Sequence, residues 1–314
     1  LQAARLFATS SPTLSLYCQG LNQSSSGTAK NTALINLHLA TGQIGKPGAG
    51  PFSLTGQPNA MGGREVGGLA NLLSAHRDLA NPEHRAEVAA LWGVPDVPAQ
   101  PGKTAVEMFQ AAADGEIKAL WIACTNPAQS LPDQNLVRAA LEKAELVIVQ
   151  EAYHTTATAA YADVLLPATS WGEKEGTVTN SERRISRQRA FLDAPGEARA
   201  DWEIICEMAS RMGFADAFAF EDSAAIFREH AALSAFENEG ARDFDIGAYA
   251  HISSAEFAAL APFQWPQRAG EAAQERRFFA DGGFFTADRR GRFIPTALPA
   301  RTNKTSPERP FTLN

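Results

Sequence analysis

Cysteine is scarce in this sequence: Cys18, Cys124 and Cys206 are the three thiols among 314 residues, and no two form a CxxC pair. That spacing excludes a disulfide framework and a cysteine-built zinc or iron–sulfur site within these residues. It fits buried, reduced thiols in a reducing compartment, which gives a cytoplasmic location as the expectation. Long apolar runs are missing too. IKALWIAC and ELVIVQ have the length of core strands, far short of the roughly 18 residues of a membrane span. Positive charge is also in deficit, with 28 Lys and Arg against 35 Asp and Glu, a net charge of −7 and only short ERR and DRR clusters. Such a balance argues against gripping duplex nucleic acid or an anionic membrane. No GxGxxG follows a strand, which disfavours a standard dinucleotide site. The six histidines form no HxH, HxxxH or HExxH pattern, and no Ser–His–Asp order or paired-carboxylate motif stands out. His154 reads more readily as a surface histidine than as a ligand. No metal ligand is assigned.

What is present is the mix of a packed globular protein, 45% hydrophobic and 20% charged, with room for two domains or one large one. The chain opens at Leu1 in mid-pattern, carries no leader motif, and ends as a strand begins, so it reads as an internal piece of a longer polypeptide. PTLSLYCQ (12–19) is β-like, and a helix is expected from Thr28 to about Leu39, closing at Gly42. Residues 42–68 are so rich in glycine that a long loop, not a regular element, is expected there. GVPDVPAQPGK (93–103) looks like a linker. Between 105 and 170 the pattern is strongest: strands at 117–124, 146–150 and 163–168 alternate with helices at 134–145 and 153–162. Continuous apolar strands alternating with helices predict an α/β parallel sheet with helices on both faces. Further helices are expected at 202–212 and 223–234. GGFFTADRRGRFIPT (282–296) predicts a hairpin turning around Asp288–Gly291 and the start of a β-rich, barrel-like C-terminal domain.

Ligands of such sheets bind beyond the carboxyl ends of the strands. Two ends carry polar clusters, Thr125–Asn126–Pro127 and Gln150–Glu151. A carboxylate there accepts two hydrogen bonds from a ribose diol, although spacing alone equally allows ordinary turn residues. WGEKEGTVTNSERRISRQR (171–189) holds five Lys or Arg and three Glu. It reads either as a solvated charged face or, through its glycines, hydroxyls and Arg183–Arg184, as a diphosphate cradle. Asp201 follows a Pro/Gly turn and precedes Trp202, where a helix begins (DWEIICEMASRM), which predicts an N-cap.

Three stretches carry a family resemblance that covers nearly the whole chain. GLNQSSSGTAKNTALINLHLATGQIGKPGAGPFSLTGQPNAMGGREVG resembles the middle of the molybdopterin oxidoreductases. ADVLLPATSWGEKEGTVTNSERRISRQR is similar to their second signature stretch, and FFTADRRGRF to the hairpin entering their C-terminal barrel. Within the family the likeness is greatest to catalytic subunits of bacterial assimilatory nitrate reductases. The resemblance implies molybdenum held by two molybdopterin guanine dinucleotides, nitrate as substrate, and oxygen-atom transfer at the metal. It implies a [4Fe–4S] cluster and a molybdenum ligand upstream of Leu1, with electrons from ferredoxin, flavodoxin or an NADH-linked reductase subunit.

Position by position, Gln19 and Gln23 match pterin contacts, and Asn126, Gln150, Glu151, Lys174 and Asp201 match positions binding a guanine dinucleotide. Arg64, in GGREVG, matches an arginine near the metal, where a planar fork would hold nitrate. Ser24–Ser26 departs from relatives that carry an arginine there, and Cys18 stands outside any metal-ligand motif. The resemblance divides the chain into the end of a pterin-binding domain (1–50), an active-site loop and connector (51–104), a guanine-dinucleotide domain (105–215), a helical connector (216–280) and the β-rich start (281–314). A formate dehydrogenase of the same superfamily, a molybdenum-free iron–sulfur subunit of a respiratory complex, and a non-enzymatic α/β binding module are the competing readings. The last leaves GQPNAMGGREVG unexplained.

Overall fold

The computed structural model describes residues 1–24, 26–297 and 305–311, and the chain divides into two compact units: Leu1–Pro58 with Glu275–Asn314, and Asn59–Gln274. The expected segments 1–50 and 281–314 fall in the first unit, while 59–274 runs through the three between them. Among the described residues, no helix is long and apolar enough to cross a membrane.

In the first unit, helix α1 (Gln2–Thr9) precedes strand β1 (Leu14–Tyr17), which is followed by the single turn α2 (Gln19–Asn22) and helix α3 (Gly27–Ala40). Strand β2 (Gly50–Ser53) lies parallel to β1, with Leu14 opposite Gly50 and Tyr17 opposite Ser53. Parallel strands need a crossover, and α3 provides it. His38 locks that crossover. It is fully buried, with Nε2 2.8 Å from Ser15 Oγ on β1 and its ring edge-on to Phe7. Burial lowers its pKa, so the ring sits there neutral.

The glycine-rich stretch is more regular than expected, because β2 and helix α4 (Ala60–Glu65) both lie inside it. Its glycines fit close approaches: Gly67, at φ +76°, brings its Cα so near the Leu73 carbonyl carbon that a Cβ would stand 2.6 Å away.

The expected C-terminal hairpin is not formed. Phe284 N–H donates to the Arg289 carbonyl at 3.0 Å to close a turn, but no strand follows Gln264 among the described residues. The returning chain bonds to a side chain instead. Asn36 Nδ2 donates to the Ile294 carbonyl (2.8 Å), and Ile294 N–H donates back to Asn36 Oδ1 (3.3 Å). One carboxamide thus satisfies the donor and acceptor that a partner strand would satisfy. Residues 298–304 and 312–314 of the expected β-rich segment lie outside the described residues, as does Ser25 in the departing serine stretch.

In the second unit, α4 is followed by the short antiparallel pair β3 (Leu72–Leu73) and β4 (Arg77–Asp78), then helices α5 (Pro82–Trp92) and α6 (Ala105–Ala113). The nucleotide-type sheet follows: β5 (Ala119–Ala123), α7 (Pro127–Ser130), α8 (Gln134–Lys143), β6 (Leu146–Glu151) and β7 (Val164–Pro167), all strands parallel in the order β5–β6–β7. Leu120, Ile122, Val147 and Val149 pack against Phe109 and Ala112 of α6 and Val137, Ala140 and Leu141 of α8. Each such side chain contributes about 1.5–3 kcal/mol by leaving water. Burial alternates along β5, so Ala119, Trp121 and Ala123 stay exposed on the opposite face. On β6 the same face holds Ile148 half-buried and Gln150 fully buried. Of the helix expected over 153–162, only the 3-10 turn Ala159–Tyr161 forms.

The charged stretch 171–189 becomes a hairpin, β8 (Gly176–Thr179) and β9 (Arg184–Gln188), extended by the short strand β10 (Phe263–Gln264). Helices α9 (Asp201–Ala209), α10 (Ser223–Ala235) and α11 (Ser254–Ala258) complete the unit.

Candidate functional site

At the carboxyl ends of β5 and β6, side chains from both strands' ends converge on one carboxylate. Asp201 Oδ2 accepts from Lys174 Nζ at 2.6 Å, while Oδ1 accepts from Gln150 Nε2 at 2.8 Å and Cys124 Sγ at 3.2 Å. Gln150 is almost fully buried at the end of β6, and its other amide atom, Oε1, accepts from Trp121 Nε1 on β5 at 3.2 Å. Both ends of the carboxamide are therefore fixed. Burial raises the Asp201 pKa, but the bonds from Lys174, Gln150 and Cys124 outweigh it and hold the carboxyl below its usual value. Asp201 is ionised at neutral pH.

Cys124, which the sequence pattern did not single out, follows β5 with φ +58°, a left-handed turn that a non-glycine residue adopts at a cost. Desolvation and the Asp201 carboxylate push its thiol up to about 11. It is a neutral donor here, not a nucleophile.

Asp201 is not the helix cap that its position predicted. Ala200 precedes the first turn of α9, and Glu203 Oε2 accepts from its N–H at 3.1 Å. The turn is closed by Glu203, which frees the Asp201 carboxylate to face the sheet.

Asn126 and Glu151 stand at the same edge but are engaged locally. Asn126 Oδ1 accepts from Thr158 Oγ1 (2.7 Å) and Thr158 N–H (3.1 Å), and its Nδ2 donates to Gln129 Oε1 (3.0 Å). It braces the loop after β5 to the loop after β6. Glu151 Oε1 accepts from the N–H groups of Ala152 (2.8 Å) and Tyr153 (3.4 Å). Thr169, just beyond β7, is buried, yet its hydroxyl has no partner among the described residues. Its backbone N–H donates to Arg199 O at 2.9 Å, which places it beside the segment leading to Asp201. A buried hydroxyl without a partner is costly.

The five basic residues of 171–189 do not form a free cradle. Lys174 bonds to Asp201, Arg183 to the Trp265 carbonyl, Arg184 to Glu182, Arg187 to the Gly176 carbonyl and Arg189 to the Ala258 carbonyl. Arg187, its side chain 2% exposed, also lies 4.0 Å over the Phe257 ring. The arginines are engaged by the hairpin itself and by the chain around 257–265, and Lys174 is the stretch's one contribution to the Asp201 cluster.

Arg64 lies on α4 with its guanidinium exposed and without a hydrogen bond or ion pair among the described residues. Its neighbour Glu65 is 2% exposed, and burial raises its pKa against the lowering effect of bonds from Thr179 and Trp265. Gln19 and Gln23 occupy the two ends of α2 in the other unit, half-buried and exposed, with side-chain amides that bond to nothing among the described residues. No group of three His, Cys, Asp or Glu side chains converges as a metal site among the described residues.

The chain is 52% identical over 269 residues to a nitrate reductase of Klebsiella oxytoca, covering 86% of this chain and 31% of that protein. It is 45% identical over 317 residues to a nitrate reductase of Synechocystis sp., covering 99% of this chain and 43% of that one. The chain thus spans about a third to two fifths of the length of these curated relatives. Among solved structures, acetylene hydratase from Pelobacter acetylenicus shares the fold, with a TM-score of 0.59, 18% identity, and coverage of 92% of this chain and 39% of that one. The family model for molybdopterin oxidoreductases matches residues 5–211, and the chain belongs to that family.

Proposed function

We propose that this chain forms the nucleotide-holding part and an anion-facing part of a cytoplasmic molybdenum nitrate reductase that serves nitrate assimilation. The family implies a molybdenum–pterin cofactor; the guanine dinucleotide form is our reading of the site. The observation that carries it is the convergence of Gln150, Lys174 and Asp201 at the carboxyl edge of a parallel sheet.

The donor set fits a guanine. An ionised Asp201 accepts from the N1–H and N2–H₂ groups of the base, which lie side by side. Oδ2 holds one bond and has a lone pair open, whereas Oδ1 already takes two donors, the weaker of them the Cys124 thiol. Guanine would displace that thiol. The second Glu151 oxygen is open to a ribose hydroxyl, and the free amides of Gln19 and Gln23 suit the polar edge of a pterin. Asn126, with its oxygen committed to Thr158, offers one remaining N–H.

Nitrate as the substrate rests on the relatives, 45% and 52% identical, that carry that activity in their names. Reduction to nitrite consumes two electrons and two protons and releases water. The molybdenum–pterin group, when bound, would supply the two electrons. Arg64 presents a planar fork to two oxygens of the anion and neutralises its charge. A [4Fe–4S] cluster carried elsewhere in the full-length protein would relay electrons to the molybdenum–pterin group from ferredoxin, flavodoxin or an NADH-linked reductase subunit.

The test is made on full-length protein from cells able to make the cofactor. Molybdenum, GMP released by acid hydrolysis, and nitrite formation with a reduced viologen are measured together. Protein without molybdenum, or turnover of formate in place of nitrate, overturns the reading.

A further inference from the structure

Helix α4 is only six residues long, and such a helix has little stability of its own. It is held at both ends by one residue of β8. At its start, Asn59 Oδ1 accepts from Thr179 N–H at 2.8 Å; at its end, Glu65 Oε2 accepts from Thr179 Oγ1 at 2.8 Å. The other Glu65 oxygen accepts from Trp265 Nε1, on the chain just after β10, at 2.7 Å. Thr179, Glu65 and Trp265 are each at most 3% exposed. Gly62 makes room for the first clamp, since a Cβ there would stand 2.1 Å from Asn59 Oδ1. A third tie comes from the backbone, where Ala75 N–H donates to the Glu65 carbonyl at 2.7 Å.

Consecutive helical residues point about 100° apart, so the position that buries Glu65 turns Arg64 outward. The Glu65 carboxylate is the nearest acid in sequence to Arg64, and both of its oxygens are already bonded to neutral donors. It therefore does not fold back onto the guanidinium.

We propose that Glu65 is a positioning residue for Arg64: clamped by Thr179 and Trp265, it fixes the last turn of the helix and leaves the Arg64 guanidinium unpaired for a small anion. This rests on the reading of Arg64 as a nitrate contact. The clamp fixes the backbone from which Arg64 projects, so less backbone entropy is lost when the anion binds.

The experiment is a double-mutant cycle in the full-length, molybdenum-loaded enzyme, reading nitrate KM, kcat and molybdenum content. Arg64→Ala is expected to raise KM at least tenfold. Glu65→Ala is expected to raise KM about five- to tenfold with full molybdenum content and a smaller change in kcat. Adding Glu65→Ala to Arg64→Ala is expected to raise KM no further. Glu65→Gln recovers most of the loss, because its carbonyl accepts from Trp265 and the Thr179 hydroxyl turns to accept from its amide. Thr179→Val, which removes one clamp and keeps the backbone bond to Asn59, gives an intermediate KM and serves where Glu65→Ala does not fold.

Additive effects of the two alanine variants, or a parental KM in both Glu65→Ala and Thr179→Val, overturn the positioning role while leaving Arg64 as a nitrate contact. An unchanged KM in Arg64→Ala overturns both.

Discussion

Lys174 and Asp201, 27 positions apart, meet at 2.6 Å as a half-buried ion pair that joins the β8–β9 hairpin to the first turn of α9. The pair brings a loop-borne cation and a helix-borne anion to the edge of the parallel sheet, where Gln150 completes the cluster.

Asp201→Asn tests what that anion does. The cap of α9 does not depend on it, because Glu203 closes the turn. The loss of charge leaves Lys174 without its partner and offers a guanine edge a donor in place of an acceptor. The expected outcome is a stability loss of roughly 1–3 kcal/mol, between exposed and buried pairs, with a much larger drop in bound nucleotide. Thermal unfolding and released GMP, measured on the same sample, check it. Full nucleotide content would remove Asp201 from the guanine contact.

Asn126→Ala removes the brace between two loops and strands the buried Thr158 N–H and hydroxyl. A cost of about 1–3 kcal/mol follows from the unsatisfied groups alone. Asn126→Asp keeps the acceptor and is expected to recover most of that stability. Urea unfolding midpoints of the two variants decide whether the residue acts as a brace.

Cys124 is exposed yet poorly reactive. With its thiol pushed up to about 11 from 9, its thiolate fraction near pH 8 is about a hundredfold below that of an ordinary cysteine. Peptide mapping after iodoacetamide treatment is expected to show Cys124 labelled far more slowly than an exposed model thiol. Asp201→Asn, by removing the repelling charge, is expected to speed that labelling. Equal rates in parent and variant would show that the carboxylate does not govern the thiol.

His230 sets an acid limit. Burial, and then the nearby charge of His76, lower its pKa from 6.5 to about 4, and its ring stacks 5.2 Å from Phe244. The unfolded chain takes up a proton below about pH 6.5 that the folded chain refuses until about pH 4, so stability falls as pH drops through that window. His230→Phe keeps the stack and removes the proton. Its melting temperature is expected to vary less between pH 7 and pH 5 than the parent's, and an equal slope would assign the acid sensitivity to other groups.

The parallel sheet was legible because β5, β6 and β7 are short apolar runs with polar ends, and Gln150 was legible as a ligand candidate for the same reason. Of the two readings of Asp201, helix cap and nucleotide contact, the first fails, since Glu203, two residues further along, closes the turn through its side chain. The hairpin β8–β9 was hidden by charge. Arg187 reads as a solvent residue until Phe257, 70 positions away, covers it. Thr169 and Cys124 carry no pattern at all. The first is notable for a missing partner and the second for a backbone angle, neither of which a sequence displays. Strand β2 was missed because its pairing with β1 is non-local, and glycine density outweighed it locally.

The second unit is one uninterrupted stretch, whereas the first is assembled from two stretches that flank it, joined by such links as Asn36 to Ile294 across 258 positions. During synthesis the intervening unit has its whole chain available once Gln274 has emerged from the ribosome. The flanking unit must wait for residues beyond Glu275 before its parts can meet. The order of folding thus follows the order of translation: the contiguous unit has all it needs to close while the interrupted one still lacks its second stretch.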